Sequence, residues 1–283
     1  MTAVPTLNVI GCGRVGRTLA RLFHVAGAAR IHDLLAREAH DAESAARFVG
    51  AGRAVTTVAT MRPADIWMLS VPDTRIAQAA TDLAASPASA QAPAVAFHCS
   101  GFHPAAILQP LSEQGWRCAS VHPVLSFASP DTAIARFRGT PCGIEGDAGA
   151  VSILQSIFAA IGGVCFPVES ERKALYHAAA VFSNNFTVVL QAIAREAWRA
   201  SGVPDEVAER IHATLLRTTV DNVIALGAEA ITGPAARGDQ SVVDAQANAV
   251  TRWHPEAGVL YRQLSELARR LAVQRSTVPG GPR

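Results

Sequence analysis

Residues 11 to 16, Gly11-Cys12-Gly13-Arg14-Val15-Gly16, have the spacing G-x-G-x-x-G. That spacing gains physical content when a strand runs into it and a helix leaves it. Gly11 then permits the tight turn, Gly13 leaves room for a pyrophosphate against the backbone, and Gly16 lets the helix pack close to the sheet. The helix N-terminus offers unpaired N–H groups and the positive end of its dipole to phosphate oxygens. Cys12, Arg14 and Val15 complete this expected cofactor turn. Ser70-Val71-Pro72 follows another apolar run. A loop at that strand's carboxyl end would pass beside a bound dinucleotide, although Asp73 or Thr74 also suits a helix cap.

The end of the second strand chooses between NAD and NADP, since a carboxylate there suits a ribose hydroxyl and an arginine suits a 2′-phosphate. The segment reads Ile31-His32-Asp33-Leu34-Leu35-Ala36-Arg37-Glu38. Arg37 falls just past the strand and predicts NADP, with NAD the lesser expectation. Asp33 is too early in the strand, and Glu38 is the rival one position on.

A second constellation lies near the middle of the chain. Lys173 and His177 are four apart, hence on one face of a helix. Asn184 returns to that face after about three turns. A polar stripe on an otherwise apolar helix is costly to bury without partners or a ligand. Facing a cleft between two domains, Lys173 or His177 could supply the proton of a hydride transfer, and Asn184 could orient the substrate. Ser100-Gly101 and His122 follow or end strand candidates on the same edge and are expected substrate contacts, with Ser100, and likewise His122, also able to bond the nicotinamide amide of the cofactor. In Gly233-Pro234-Ala235-Ala236-Arg237-Gly238-Asp239, Arg237 could clamp a carboxylate, but pairing with Asp239 or capping by Asp239 is the preferred reading.

These residues need elements to hold them. Short apolar runs at residues 7–10, 31–35, 55–58, 66–71 and 94–98 read as strands, with weaker runs at 117–121 and 141–144. Helical spacing at 14–26 and 42–48 falls between them, which predicts a mostly parallel, doubly wound sheet. Past residue 167 the strand signals stop. Residues 170–200 read as one long helix ended by Gly202, Val203-Pro204-Asp205 opens another toward Gly227, Gly233-Pro234 breaks the chain, and 254–273 is a last amphipathic helix. The expected organisation is an α/β Rossmann domain over 1–167, an all-helical substrate and dimerisation domain over 168–275, and a disordered tail over 276–283.

Composition excludes several classes. With 283 residues, 25 basic and 23 acidic, the net charge is +2, and no dense basic run marks a nucleic-acid or membrane surface. The start of the chain has no signal-peptide pattern, and polar residues interrupt the most apolar segment, 174–194. The 5 cysteines stand singly, as reduced thiols of a cytoplasmic protein would. No His, Asp or Glu cluster has metal spacing, and no nucleophile elbow is present.

In order along the chain stand the glycine turn, Val71-Pro72-Asp73, His98-Cys99-Ser100-Gly101, His122-Pro123 with Ser126-Phe127, Lys173 with Tyr176-His177, and the Gly233 to Asp239 segment. Together they resemble an uncharacterised family of Rossmann-like oxidoreductases with a C-terminal helical domain of unknown function. That group is broadly similar to β-hydroxyacid dehydrogenases, ketopantoate reductases and pyrroline-carboxylate reductases. The resemblance implies NADP chemistry on a small carbonyl, hydroxy-acid or imine compound and a homodimer through the helical domain. β-Hydroxyacid dehydrogenases have a catalytic lysine early in the first long helix and an asparagine four residues on; here His177 holds that second position. Two alternatives remain at this point: a dinucleotide-binding sensor or scaffold without turnover, and a prephenate or arogenate dehydrogenase-like enzyme suggested by His122-Pro123.

Overall fold

The computed structural model describes residues 4–91 and 94–279. Residues 1–3 and 280–283, on which the leader and tail expectations partly rest, lie outside the described residues. The chain divides into two compact units, Met1–Asn184 and Asn185–Arg283.

In the first unit, strands alternate with helices. The order is β1 (Thr6–Ile10), α1 (Arg14–Val25), β2 (Arg30–Leu35), α2 (Ala39–Val49), β3 (Arg53–Val55), β4 (Ile66–Leu69), α3 (Ile76–Ala84) and β5 (Val95–His98). A short α4 (Gln109–Ser112), β6 (Arg117–Pro123), α5 (Pro130–Arg136), β7 (Pro141–Gly146), α6 (Ala148–Ala160), β8 (Val164–Pro167) and α7 (Lys173–Val181) follow. Among the described residues, eight strands form one sheet in the order β3-β2-β1-β4-β5-β6-β7-β8. Every pairing is parallel except β6 with β7. β1, β4 and β5 are buried at every position, because helices cover both faces and leave no solvated side for an alternating pattern. One face packs Phe23 and Phe97 edge-on against Phe158, at 5.3 and 6.0 Å between centroids. The other packs Trp67 against Trp116.

Asp33 is fully buried within β2 and is paired with Arg53 and Arg62 at 2.9 and 2.7 Å. Its carboxylate also accepts the Arg62 N–H at 2.6 Å. It holds the β2–β3 edge together and is occupied by the fold.

Three local expectations change. Residues 55–58 do not form one strand: β3 ends at Val55, and Val58–Thr60 is a 3-10 turn. β8 is four residues long and half-exposed, too short and too little patterned to stand out in the sequence. Residues 170–200 are not a uniform helix. A 3-10 turn at Ser170–Arg172 leads into α7, a π segment at Phe182–Phe186 follows, and then α8 (Thr187–Ala200). Asn184 sits inside the π segment, where i→i+5 bonding interrupts the α period that related it to Lys173.

The second unit is helical: α8, α9 (Asp205–Leu226), the one-turn α10 (Pro234–Arg237), α11 (Gln240–Trp253) and α12 (Pro255–Gln274). α11 lacked a separate sequence signal. Residues 233–239 hold the turn α10, and Arg237 pairs with Asp239 at 3.0 Å. Asp239 stands at the N-cap position of α11 without a side-chain capping bond. Among the described residues, no helix is long and apolar enough to cross a membrane.

Candidate active site

The order β3-β2-β1-β4-β5-β6 reverses direction between β1 and β4, and ligands of open α/β sheets sit outside the strand carboxyl ends at such a point. The glycine turn occupies that position. Gly11 has φ +97°, and a methyl group on it would lie 2.8 Å from the Ser70 backbone. On Gly16 a methyl group would overlap the Gly11 carbonyl oxygen and the Ser70 hydroxyl. Ser70 Oγ donates to that carbonyl at 2.7 Å, tying the end of β4 to the turn. Gly13 is different. Its φ is −69°, open to any residue, and a methyl group there would meet nothing within 4 Å. No constraint inside the fold demands glycine at this position. The N-terminus of α1, where Gly13 is the N-cap, has no side-chain cap and no acidic residue in its first turn. Its N–H groups and dipole are therefore uncompensated on the side where Gly13 leaves space.

A pocket of about 540 Å³ opens beside this turn. Gly11, Cys12, Gly13, Ser70, Val71 and Pro72 line it, together with Arg17, Arg37 and Arg75. Arg17 is held by two bonds from its guanidinium to the Cys12 carbonyl, both 3.0 Å. Arg37 is exposed just past the end of β2. Glu38 is the N-cap residue of α2 and is not among the lining residues. Arg14 is exposed on the first turn of α1, and Val15 packs against the sheet core. Cys12 is buried, which pushes its thiol up to about 12. Neither Asp73 nor Thr74 caps a helix through its side chain.

Lys173 is 1% exposed as a residue, and its ammonium lies inside the fold. It donates to the Ser100 carbonyl at 3.1 Å and to Ser120 Oγ, and lies 3.5 Å from Glu145 Oε1. Of its three donors, two are hydrogen-bonded to Ser100 and Ser120, and the charge is paired with Glu145. Glu145 is fixed in turn by the Ala105 N–H and the Ser170 hydroxyl, both at 2.8 Å. Burial pushes the Lys173 pKa below its ordinary value, and Glu145 pulls it back up. Ser120 and Glu145 face one another across the β6–β7 register. Neither stood out in the sequence. A lone glutamate in the apolar run 141–146 was the available signal.

Ser100 follows β5 in a loop pinned by His98, whose Nδ1 receives the Ser100 N–H at 3.2 Å. Ser100 Oγ accepts from the Phe102 and His103 N–H groups at 3.1 and 3.0 Å. The serine side chain therefore shapes its own loop. A methyl group on Gly101 would overlap His177 Nδ1 and lie 2.8 Å from the His122 ring. Gly101, His122 and His177 thus converge, with the two imidazole centroids 5.4 Å apart. His122 Nδ1 is hydrogen-bonded to the Tyr176 hydroxyl at 2.9 Å. Burial, reinforced by His177 and Lys173, lowers His122 to about 4, while burial raises Tyr176 to about 12. His177 Nδ1 is buried without a hydrogen-bond partner. Asn184 is exposed in its π segment. Of the expected substrate-side residues, the structure gathers Ser100, Gly101, His122, Lys173 and His177 around the ends of β5 and β6.

Strand order and glycine turn together define an α/β domain of the Rossmann class. Residues 3–123 match the family described as Rossmann-like domain, and residues 140–268 match the domain of unknown function DUF2520; the chain joins the two. Protein TM1727 from Thermotoga maritima is 28% identical, with TM-score 0.73, over 95% of this chain and 99% of that one. A reductive aminase from Aspergillus terreus, solved with NADPH and ethyl levulinate, is 16% identical, with TM-score 0.68, over 96% and 95% of the two chains. An NADH-preferring ketol-acid reductoisomerase from an uncultured archean is also 16% identical, with TM-score 0.63, over 96% and 84%. At 16% the likeness is one of fold. No curated protein matches the chain.

Proposed function

We propose that this protein is an NADP-dependent oxidoreductase acting on a small carbonyl, hydroxy-acid or imine compound. The observation that carries the reading is Gly13. Its missing side chain serves nothing in the fold, and it opens onto an uncapped helix N-terminus lined by arginines. A pyrophosphate fits that combination. The related folds solved with NADPH or described as NADH-preferring support a dinucleotide without choosing which. The choice rests on Arg37 lining the pocket where Glu38 does not. A bound nicotinamide would supply or accept the hydride.

The chain's own residues hold and polarise the substrate. Lys173 works through the groups it binds: it fixes the Ser100 carbonyl and Ser120, and contributes positive charge from behind. His177 and His122 meet the reacting group at the Gly101 gap, where only glycine leaves room for both rings. Cys12, Arg14, Val15, Gly16, Ser70, Val71 and Pro72 contribute the turn and loop that support the cofactor. Asn184 serves as a substrate-orienting residue of the helical segment.

We further infer a homodimer through the helical unit. α9 is 22 residues long and buries only Ala208, while Leu215, Val220, Val223 and Ile224 are exposed. So large an apolar face on one helix calls for a partner, and a second copy offers the same face. Five free thiols accord with the reducing cytoplasm.

Calorimetry with NADPH and NADH on the wild type and Arg37→Ala tests the cofactor reading. A charge-assisted contact is worth about 1.5–3 kcal/mol, so Arg37→Ala should weaken NADPH by about 10- to 100-fold and leave NADH unchanged. Absence of binding by either nucleotide at millimolar concentration would remove the oxidoreductase reading and leave the glycine turn a structural device.

A further inference from the structure

The register of the sheet sets His122 of β6 opposite Gly143 of β7. Above that pair lies Tyr176 of α7. A methyl group on Gly143 would stand 2.7 Å from the Tyr176 hydroxyl oxygen and 2.8 Å from Val168, so the phenol is seated against bare backbone. From that seat it reaches His122 Nδ1 at 2.9 Å, with the two rings perpendicular. Nδ1 is the Tyr176 hydroxyl's hydrogen-bond partner among the described residues. If Nδ1 carried the proton, the phenol O–H would have no protein acceptor; if the phenol donates, the pair is satisfied. No hydrogen bond from His122 Nε2 to the protein is seen among the described residues, and the His122 residue is partly exposed. The imidazole is therefore tied at one nitrogen and open at the other.

We propose that Tyr176 and His122 form the proton relay of this site: Tyr176 holds His122 as the Nε2–H tautomer, and Nε2–H delivers the proton to the substrate. The inference rests on the oxidoreductase reading. Once a hydride has formed the new C–H bond, the C=O or neutral C=N π pair is left on the heteroatom. That atom takes the proton from His122 Nε2, and the Nε2–H bond breaks. Nδ1 takes the phenol proton in the same motion, leaving a neutral imidazole and a Tyr176 phenolate. Nδ1 then gives its proton back to the phenolate while Nε2 takes one from water, which restores the Nε2–H tautomer. The net proton comes from solvent, and the two electrons of the hydride are the only ones transferred. Because alkoxides and amide anions are stronger bases than phenolate, the relay runs downhill.

Both members are neutral near pH 7, with His122 lowered to about 4 and Tyr176 raised to about 12, largely by burial. The groups acting on His122 are His177 and Lys173, which lower it, and Asp73, which raises it. Cys142 acts on Tyr176. Neutral imidazole is a donor rather than a general acid of the charged form, so its competence does not decline as pH rises through the usual histidine range.

The test needs neither cofactor nor substrate. In protein labelled with 15N-histidine, long-range proton–nitrogen spectra report the tautomer of each of the 9 imidazoles, and His122→Asn identifies the His122 signals by their loss. The wild type should show His122 as Nε2–H, neutral from pH 8 to pH 5, and Tyr176→Phe should convert it to a mixture of tautomers. A His122 found as Nδ1–H, or charged at pH 6, overturns the proposal from the wild type alone, whether or not Tyr176→Phe folds. With a turned-over substrate, His122→Asn should lower kcat by about 10²–10⁴-fold with NADPH affinity unchanged, and Tyr176→Phe should lower kcat and leave KM. If NADPH fails to bind but the tautomer is Nε2–H, the cofactor reading fails and the dyad stands as a hydrogen-bonding site. If NADPH binds and the tautomer is wrong, only the relay fails.

Discussion

Replacing Lys173 by methionine should destabilise the first unit by several kcal/mol, because the loss falls on groups that remain buried. The ammonium side chain is 2% exposed and its carboxylate partner Glu145 is 7% exposed. Breaking a buried pair from one side costs about 3–5 kcal/mol, since the other charge stays behind without its counterion. Glu145 keeps the Ala105 N–H and the Ser170 hydroxyl, which argues for the lower end, about 3 kcal/mol. For a unit of this size 1 kcal/mol moves Tm by about 2–4 °C. The expected drop is therefore about 6–12 °C, read by far-UV circular dichroism. Adding Glu145→Gln removes the orphaned charge, keeps an oxygen for the Ala105 N–H and leaves the amide NH2 to donate to the Ser170 hydroxyl, which can accept. The double variant should recover at least half of the loss, a coupling of more than about 1 kcal/mol. The pH dependence supplies an independent sign. The folded-state pKa of Lys173 lies below its ordinary 10.5, so between those values the unfolded chain binds more protons and stability rises with pH. Lys173→Met should lack that rise. A Lys173→Met protein melting within about 1 °C of the wild type, or single variants whose effects merely add, would refute the buried-pair account.

The remaining predictions use other parts of the molecule. Gly13→Ala adds a methyl group into open space at an ordinary φ, so its Tm should hold or rise, with a gain of about 0.4–1 kcal/mol, while calorimetry shows weakened NADPH binding. Gly16→Ala overlaps the Gly11 carbonyl and should lose about 1–3 kcal/mol as well as binding; equal Tm values for the two variants would remove the distinction. Asp33 is held below the usual carboxylate range: burial alone would raise it, but the bonds from Arg53 and Arg62 prevail. Its stabilisation is thus present above pH 4 and lost as pH falls through the depressed value. Asp33→Asn should cost about 2–3 kcal/mol at pH 7 and flatten the acid limb of urea-melt stability below pH 4. Ile224 is 80% exposed on α9; Ile224→Glu should convert a dimer to a monomer by light scattering, and an unchanged mass would exclude that face from the interface.

Much of the first unit was legible because its signals are local. Parallel strands buried on both faces appear as short apolar runs, and the glycine turn carries its strand and helix beside it. Arg37 was legible for the same reason: one strand end determines where it stands. The partners of Lys173 were not. Ser120 and Glu145 lie 53 and 28 positions before it, the differences of their residue numbers, and meet it only because β6 pairs antiparallel with β7 in the register Ser120↔Glu145. A one-residue slip in that register would turn both side chains to the other face, and nothing in the local sequence sets it. The π segment was hidden as well, since Ser183-Asn184-Asn185 fits an α period until the bonding pattern is seen.

The same long-range pairing determines which residue is free to do chemistry. Near the start of α7 a lysine suggests a proton donor by type and spacing, yet its ammonium is already hydrogen-bonded to Ser100 and Ser120 and paired with Glu145. A proton held in such a buried site is available only at the cost of disturbing those partners. His122 drew attention only as a strand-end residue, but the tyrosine one turn of α7 beyond Lys173 occupies its inner nitrogen and leaves the outer one open. The lysine's contribution is then to stiffen the loop and strand on which that imidazole stands, so Lys173→Met should lower turnover in proportion to the disorder it introduces at Ser100 and Ser120. It should leave the pH dependence of the surviving activity unchanged; loss of a wild-type alkaline-limb inflection from the Lys173→Met profile would instead mean that the ammonium itself had been the donor.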